Sequence, residues 1–159
     1  SEAFLSAFTY QTAMRGNVIR PGPTVGDAAL PGAPVKSDRR LREIVATALR
    51  GEDIPVVQNE GRQFIAARDL ADVYASVLRS GANRQTYLAV ASDYVSWEKI
   101  AREAVAITGS SSRILVEDRE LSPCQFDAGK IGREFGLEFR CRPAILDELR
   151  RLAVGERLK

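Results

Sequence analysis

The chain has 159 residues, of which 45% are hydrophobic and 28% charged, and this balance predicts a globular protein with a sizeable core. The net charge of +2 is too small to favour nucleic acid as a partner. Histidine is absent, the two cysteines lack a zinc-like spacing, and no apolar run approaches membrane-spanning length. We therefore predict no metal, no nucleic acid and no membrane.

The N-terminus lacks the basic and apolar regions of a signal peptide, which predicts a cytoplasmic protein with reduced thiols. It also lacks an initiator methionine. A chain that begins inside a longer protein would show this, and so would removal of the methionine by processing.

The first segment predicts a helix over residues 2–14 and a short buried strand at Val18–Ile19. Residues 21–36 are rich in proline and glycine, which predicts a long loop. Loops of this length inside compact domains usually serve a function or are disordered.

The middle of the chain predicts a helix over 38–50, because its apolar residues recur every three to four positions. Strands are expected at 54–57 and 64–66, separated by a polar turn at 58–61. Asp69 is expected to cap the next amphipathic helix.

The last part continues the alternation of strands and helices. Ser96 is predicted to cap a helix that ends at Gly109, with Trp97 in the core. Further elements are predicted as a strand at 86–91, a strand at 114–116, a helix at 127–135 and a helix that starts near Pro143. Residues 155–159 are expected to form a frayed tail.

This alternation predicts the α/β class. An order that opens with a helix, a single strand and a long loop makes a poor free-standing sheet. We therefore expect the end of a Rossmann-type doubly wound sheet, followed by a smaller mixed α/β domain.

One run of residues is especially informative. Residues 62–69 read Arg-Gln-Phe-Ile-Ala-Ala-Arg-Asp and continue into Leu-Ala. The run resembles the signature Arg-x-(Phe/Tyr)-(Ile/Val)-His-Val-x-Asp-(Leu/Val)-Ala of the NAD(P)-dependent epimerase/dehydratase family, the extended short-chain dehydrogenase/reductases. In that family the arginine grips the pyrophosphate of a sugar nucleotide. The resemblance therefore implies a substrate contact for Arg62, although the family histidine is replaced by Ala66.

Residues 19–26, Ile-Arg-Pro-Gly-Pro-Thr-Val-Gly, resemble the strand end Arg-Pro-x-Asn-Val-Tyr-Gly of the same family. The resemblance implies that Pro21 and Gly22 border the nicotinamide and that Thr24 lies on the substrate side. Pro23 replaces an asparagine that holds substrate phosphate in many members, and proline cannot donate that hydrogen bond. The matching division of the chain is 1–26 as the end of the Rossmann-like part, 27–154 as the substrate-binding domain and 155–159 as the tail.

Two further cations are candidates for phosphate binding. Arg119 resembles a second phosphate-binding arginine of the family, because residues 127–131 and 135–137 follow it as Asp-Ala-Gly-Lys-Ile and Phe-Gly-Leu. Lys36, at the end of the proline-rich loop, is a weaker candidate. Both can instead be solvated surface residues.

The residues that carry the family's chemistry do not occur in this sequence. No Gly-x-x-Gly-x-x-Gly follows a strand, and no tyrosine has a lysine four positions later. The positions four residues after the tyrosines are Met14, Leu78, Ala91 and Glu98. No catalytic residue is therefore assigned.

Together these features favour the C-terminal, substrate-binding portion of an NAD(P)-dependent nucleotide-sugar epimerase/dehydratase-like protein, not catalytic alone. The resemblance implies NAD or NADP in the full-length protein, a nucleoside-diphosphate sugar or other small substrate, and a homodimer. Two alternatives stay open: a carbonyl reductase of the same superfamily, which Pro23 favours, and a catalytically inactive binding or regulatory module. The module predicts that helix 2–14 is packed on its own chain, whereas the partial enzyme predicts exposed apolar surface on this helix and at Val18–Ile19.

Overall fold

A computed structural model of the chain describes residues 2–26 and 39–157. Within these ranges the chain forms six α-helices. They are α1 (Glu2–Gln11), α2 (Arg39–Leu49), α3 (Ala67–Arg79), α4 (Trp97–Thr108), α5 (Gly129–Phe135) and α6 (Cys141–Arg157).

Eight short strands alternate with the helices in the described ranges. They are β1 (Val18–Pro21), β2 (Thr24–Val25), β3 (Ile54–Val57), β4 (Gly61–Arg62), β5 (Ile65–Ala66), β6 (Thr86–Ala89), β7 (Val95–Ser96) and β8 (Ile114–Glu117). The α/β class is confirmed.

The strands pair in four two-stranded ladders. Three ladders are parallel: β1 with β6, β2 with β5, and β3 with β8. Only β4 with β7 is antiparallel among the described strands. The β1–β6 ladder joins residue 18 to residue 86, so it crosses the predicted boundary at residue 26, and that domain division stays a prediction.

The buried side chains form two cores. The larger core lies between α2, α4, α6 and β3, and Trp97 is 1% exposed inside it, edge-to-face against Phe64. The predicted core position of Trp97 is therefore confirmed. The smaller core lies under α3 and α5 against β6, where Val73, Tyr87 and Ile131 are buried.

The bounds of α4 agree with the sequence because its caps are local. The Ser96 hydroxyl accepts a hydrogen bond from the Lys99 backbone N–H, as an N-cap does. Gly109 adopts the left-handed conformation that ends many helices. Gly136 ends α5 in the same way.

Two local predictions were wrong. Asp69 is not the N-cap of α3, since the helix starts at Ala67 directly after β5 and the cap position is Ala66. Asp69 lies in the first helical turn, where its negative charge interacts favourably with the positive end of the helix dipole. The strand predicted at 64–66 is confirmed as β5, which starts one residue later, at Ile65.

The predicted frayed tail is the second correction. Helix α6 continues to Arg157, because Leu152 and Ala153 are buried in the larger core and hold the last turns in place. Residues 158–159 lie outside the described ranges. The predicted loop at 21–36 is also shorter at its start, since Thr24–Val25 form β2 and residues 27–38 lie outside the described ranges.

The exposed face of α1 agrees with the prediction made for a partial enzyme. Thr9 is the only buried residue of this helix, and Phe4 and Phe8 stack on each other at 73% and 40% exposure. Val18 and Ile19, in contrast, are half-buried.

We predict that Gly61→Ala destabilises the protein by about 1–3 kcal/mol. A Cβ at this position would lie 2.1 Å from the Val95 carbonyl oxygen and 2.6 Å from the Ser96 Cα, so backbone would have to move. The free energy of unfolding, measured by urea titration, checks this. Gly155→Ala is the control: its Cβ meets nothing within 4 Å, and alanine in a helix should stabilise by about 0.5–1 kcal/mol. Equal effects of the two changes would contradict the packing argument.

Candidate functional site

The loop after β1 is fixed by backbone contacts at the carboxyl ends of β1 and β6. The Gly22 N–H donates to the Ala89 carbonyl at 2.9 Å, and the Ile65 N–H donates to the Pro23 carbonyl at 3.0 Å. The Thr24 hydroxyl donates to the Gly22 carbonyl at 3.2 Å. Residues 22–24 are therefore held between β6 and the segment that contains β5.

Gly22 is required by this packing. A Cβ there would lie 2.6 Å from Val90 Cγ1 and 2.8 Å from the Gln63 carbonyl oxygen. The space next to its Cα is thus filled by the protein itself. This gives the glycine a structural role beside the nicotinamide contact that the resemblance implies for Pro21 and Gly22.

Arg62 lies exposed on β4, one residue after Gly61. The strand is anchored by β7 and the start of α4: Arg62 pairs with Val95 of β7, and the Trp97 N–H donates to the Glu60 carbonyl at 2.8 Å. Arg62 is thus an exposed guanidinium on a fixed backbone. The neighbouring Glu60 carboxylate accepts a hydrogen bond from Arg40 at 2.8 Å.

Arg119 follows β8 by two residues and is also exposed. Its guanidinium donates to the Glu117 carboxylate at 2.8 Å, and this hydrogen bond is the main reason that the pKa of Arg119 is raised. A weaker attraction to the Glu60 carboxylate also raises this pKa. The same pairing lowers the pKa of Glu117.

The segments that lead to the two arginines leave the same end of one ladder. Strands β3 and β8 run parallel, with Val57 opposite Glu117, and the Gln58 N–H donates to the Glu117 carbonyl at 2.8 Å. Arg119 leaves this end directly, and Arg62 follows the turn that leaves it at residues 58–60. Carboxyl ends of parallel strands are the edge where α/β proteins bind ligands. Lys36, the third candidate, lies outside the described ranges.

Sequence reasoning missed Gln63, which is 4% exposed and fully hydrogen-bonded. Its amide nitrogen donates to the carbonyls of Ala91 at 2.8 Å and Phe126 at 3.0 Å. Its amide oxygen accepts from the Phe126 N–H at 2.6 Å. No local signal marks it, since its partners lie 28 and 63 residues away.

Cys141 is a second buried group that the sequence did not single out. Its sulfur accepts a hydrogen bond from the Phe64 N–H at 3.1 Å and donates to the Asp93 carbonyl at 2.9 Å. Burial, with a smaller effect of the Asp93 carboxylate, raises the pKa of this thiol to about 12. Cys141 is thus a neutral structural group that fixes the Phe64 backbone beside Arg62.

A cavity of about 740 Å³ opens next to the carboxyl end of β6. Its lining combines apolar and charged side chains from the residues just after β6, from α5 and from the segments on either side of α5, including Val90, Ser92, Phe126, Arg133 and Phe139. Of the predicted site residues that the structure describes, none lines it.

Within the described ranges, every helix is too short or too polar to span a bilayer. The same part of the chain holds no group of three or more cysteine, aspartate or glutamate side chains placed to bind a metal ion.

No protein-family model and no curated protein matches the sequence. Solved structures do match the fold. UDP-N-acetylglucosamine 4-epimerase from Bacillus cereus aligns with a TM-score of 0.72 at 14% identity, over 98% of this chain and 50% of the epimerase. The Bordetella bronchiseptica enzyme WbmF, solved with NAD+ and UDP, aligns with a TM-score of 0.72 at 19% identity, over 99% of this chain and 49% of that one. The epimerase Mth375 from Methanothermobacter thermautotrophicus gives 0.75 at 13% identity, over 99% and 48%.

The chain therefore has the fold of part of an epimerase or dehydratase subunit and spans about half the length of these enzymes. The sequence-based expectation of this fold is confirmed.

The raised pKa of Cys141 predicts a pH dependence of stability. The folded thiol has a pKa of about 12 against an ordinary value of 9.0, so its contribution is complete below pH 9 and is lost as the pH rises from about 9 to 12. In urea titrations, the free energy of unfolding should fall more steeply above pH 9 for the unchanged protein than for Cys141→Ser. Parallel curves for the two proteins would contradict this.

At pH 8.5, iodoacetamide should modify the exposed Cys124 and spare Cys141 in the folded protein.

Proposed function

We propose that this chain is the substrate-binding portion of an NAD(P)-dependent nucleotide-sugar epimerase/dehydratase-like protein and that it does not catalyse the reaction alone. The observation that carries the proposal is the placement of Arg62 and Arg119 at one end of the β3–β8 ladder, on a fold that matches half of such enzymes. The ligand would be a nucleoside-diphosphate sugar. Two of the similar structures are described as complexes with UDP or UDP-glucose.

The chemistry of the two arginines suits a diphosphate. A guanidinium presents a planar set of donors that can bind two phosphate oxygens at once. Arg119 is paired with an exposed carboxylate, and such pairs are weak because water screens them. A diphosphate can therefore take the place of Glu117 as the partner of Arg119.

Support for a cofactor on this chain is limited to Pro21 and Gly22. When bound, NAD(P) in such enzymes accepts a hydride from the sugar and returns it. Val90 and Gln63 pack so closely against Gly22 that no space is left at this position for a cofactor phosphate. The described residues therefore fit an edge of a cofactor site, and we expect the rest of that site in another part of the full-length protein.

The exposed apolar face of α1 supports an additional partner surface. Phe4 and Phe8 lie one turn apart on this helix, stack on each other and are exposed. Apolar groups in one place on a surface are typical of an interface. We propose that the full-length protein forms a homodimer in which this face is covered.

Two alternatives differ in the ligand they predict. A carbonyl reductase of the same superfamily would bind its substrate without a nucleotide, and residue 23 is a proline that cannot donate to phosphate. An inactive binding module would hold a ligand while needing no cofactor. Binding of a nucleoside diphosphate by the two arginines separates the nucleotide-sugar proposal from the carbonyl reductase.

We predict that the chain binds UDP in a saturable manner and that Arg62→Ala and Arg119→Ala each weaken binding by about tenfold, since each removes a charged hydrogen-bonding group from the phosphate. Isothermal titration calorimetry with UDP, and with uridine as the probe without phosphate, measures this. Uridine should bind far more weakly.

The matched control is Arg50→Ala. Arg50 pairs with Glu52 at 2.7 Å across a spacing of two residues, as Arg119 does with Glu117, but lies at the end of α2. It should leave UDP affinity unchanged. Loss of binding in all three variants, or in none, would contradict the proposed site.

A further inference from the structure

We propose that Gln63 is a positioning residue that fixes the segment 118–128 and, through it, holds Arg119 on the side of Arg62. This inference rests on the proposed function only for its effect on ligand binding. That Gln63 fixes the segment 118–128 depends only on the hydrogen bonds of Gln63.

The segment 118–128 contains no helix or strand, and residues 118–127 are exposed. Among the described residues, three hydrogen bonds join it to distant parts of the chain through Phe126 and Gln125. Two of the three are made by Gln63, at 2.6 and 3.0 Å. The third is donated by the Gln125 side chain to the Ser92 carbonyl at 2.8 Å.

The same glutamine binds the end of β6. Its amide nitrogen donates to the Ala91 carbonyl as well as to the Phe126 carbonyl, while its oxygen accepts from the Phe126 N–H. One buried side chain therefore connects three segments: the link between β4 and β5, the end of β6, and the segment that follows Arg119.

The chemistry of this position calls for glutamine. Two donors and an acceptor are needed from one uncharged side chain, which excludes glutamate, lysine and arginine, and asparagine is shorter by one methylene. The position is adjacent to Arg62 in sequence. The residue that follows the exposed arginine thus turns inward and anchors the segment that carries the other arginine.

Anchoring matters because the ligand would contact both arginines. A segment with few contacts of its own loses conformational entropy when it binds a ligand, and this loss weakens the affinity. A segment that is already fixed loses less. Loss of the anchor should therefore weaken the contribution of Arg119 while leaving Arg62 on its paired strand.

The first test uses the full 159-residue chain and amide hydrogen exchange measured by NMR. Gln63→Leu removes all three hydrogen bonds, and Gln63→Glu keeps the acceptor but removes both donors. In Gln63→Leu, the Phe126 amide should exchange at least about tenfold faster than in the unchanged protein, while amides of α4 keep their protection. In Gln63→Glu, whose carboxylate faces two carbonyls, residues 124–128 should also exchange faster.

Gln11→Leu and Gln11→Glu, at the exposed end of α1, are matched controls and should show no change. Unchanged exchange of residues 124–128 in folded Gln63 variants would overturn the inference.

The second test distinguishes positioning from a general loss of stability. If Gln63 acts through Arg119, Gln63→Leu should weaken UDP binding by about three- to tenfold alone and add little in the Arg119→Ala background. Fully additive losses would overturn the positioning role. If the unchanged chain binds no UDP, the proposed function fails, and the exchange measurement still decides whether Gln63 fixes the segment.

Discussion

The close approach of three backbone segments at the carboxyl ends of β1 and β6 is the constraint on which the candidate site depends. Residue 22 lies between the Val90 side chain and the Gln63 carbonyl with no room for a Cβ. Backbone hydrogen bonds from Gly22 and Ile65 then tie the loop after β1 to both neighbours. Because these segments are held so closely, Arg62, which directly precedes Gln63, extends from a fixed backbone.

Buried polar groups complete this base. Gln63 and Cys141 each satisfy backbone groups that would otherwise be left unpaired in the interior, where an unmet hydrogen bond costs about 1–3 kcal/mol. Burial raises the pKa of Cys141 to about 12, so this thiol stays neutral even at pH values where an exposed thiol would ionise. The charged groups, in contrast, stay at the surface, where an ion pair such as Arg119 with Glu117 is weak enough to be exchanged for a ligand.

Sequence reasoning succeeded where the controlling interactions are local. Ser96 and Gly109 delimit α4 because capping acts within one turn, and the amphipathic pattern of α2 located that helix to within one residue at each end.

Sequence reasoning failed where a contact between distant residues determines the structure. Asp69 resembles an N-cap in sequence, yet α3 starts two residues earlier because the chain enters it directly from β5. The hydrogen bonds of Gln63 reach across 28 and 63 residues, and no spacing in the sequence indicates them. Placement of Arg62 and Arg119 near one ladder end likewise depends on the β3–β8 pairing, which joins residues 60 positions apart.

If Arg62 and Arg119 bind one diphosphate, a crystal structure of the chain with UDP will show it. We expect both guanidinium groups within hydrogen-bond distance of the UDP phosphate oxygens, with the Glu117 carboxylate displaced from Arg119. UDP bound instead in the 740 Å³ cavity beside Phe126 and Arg133, with Arg119 still paired to Glu117, would contradict it.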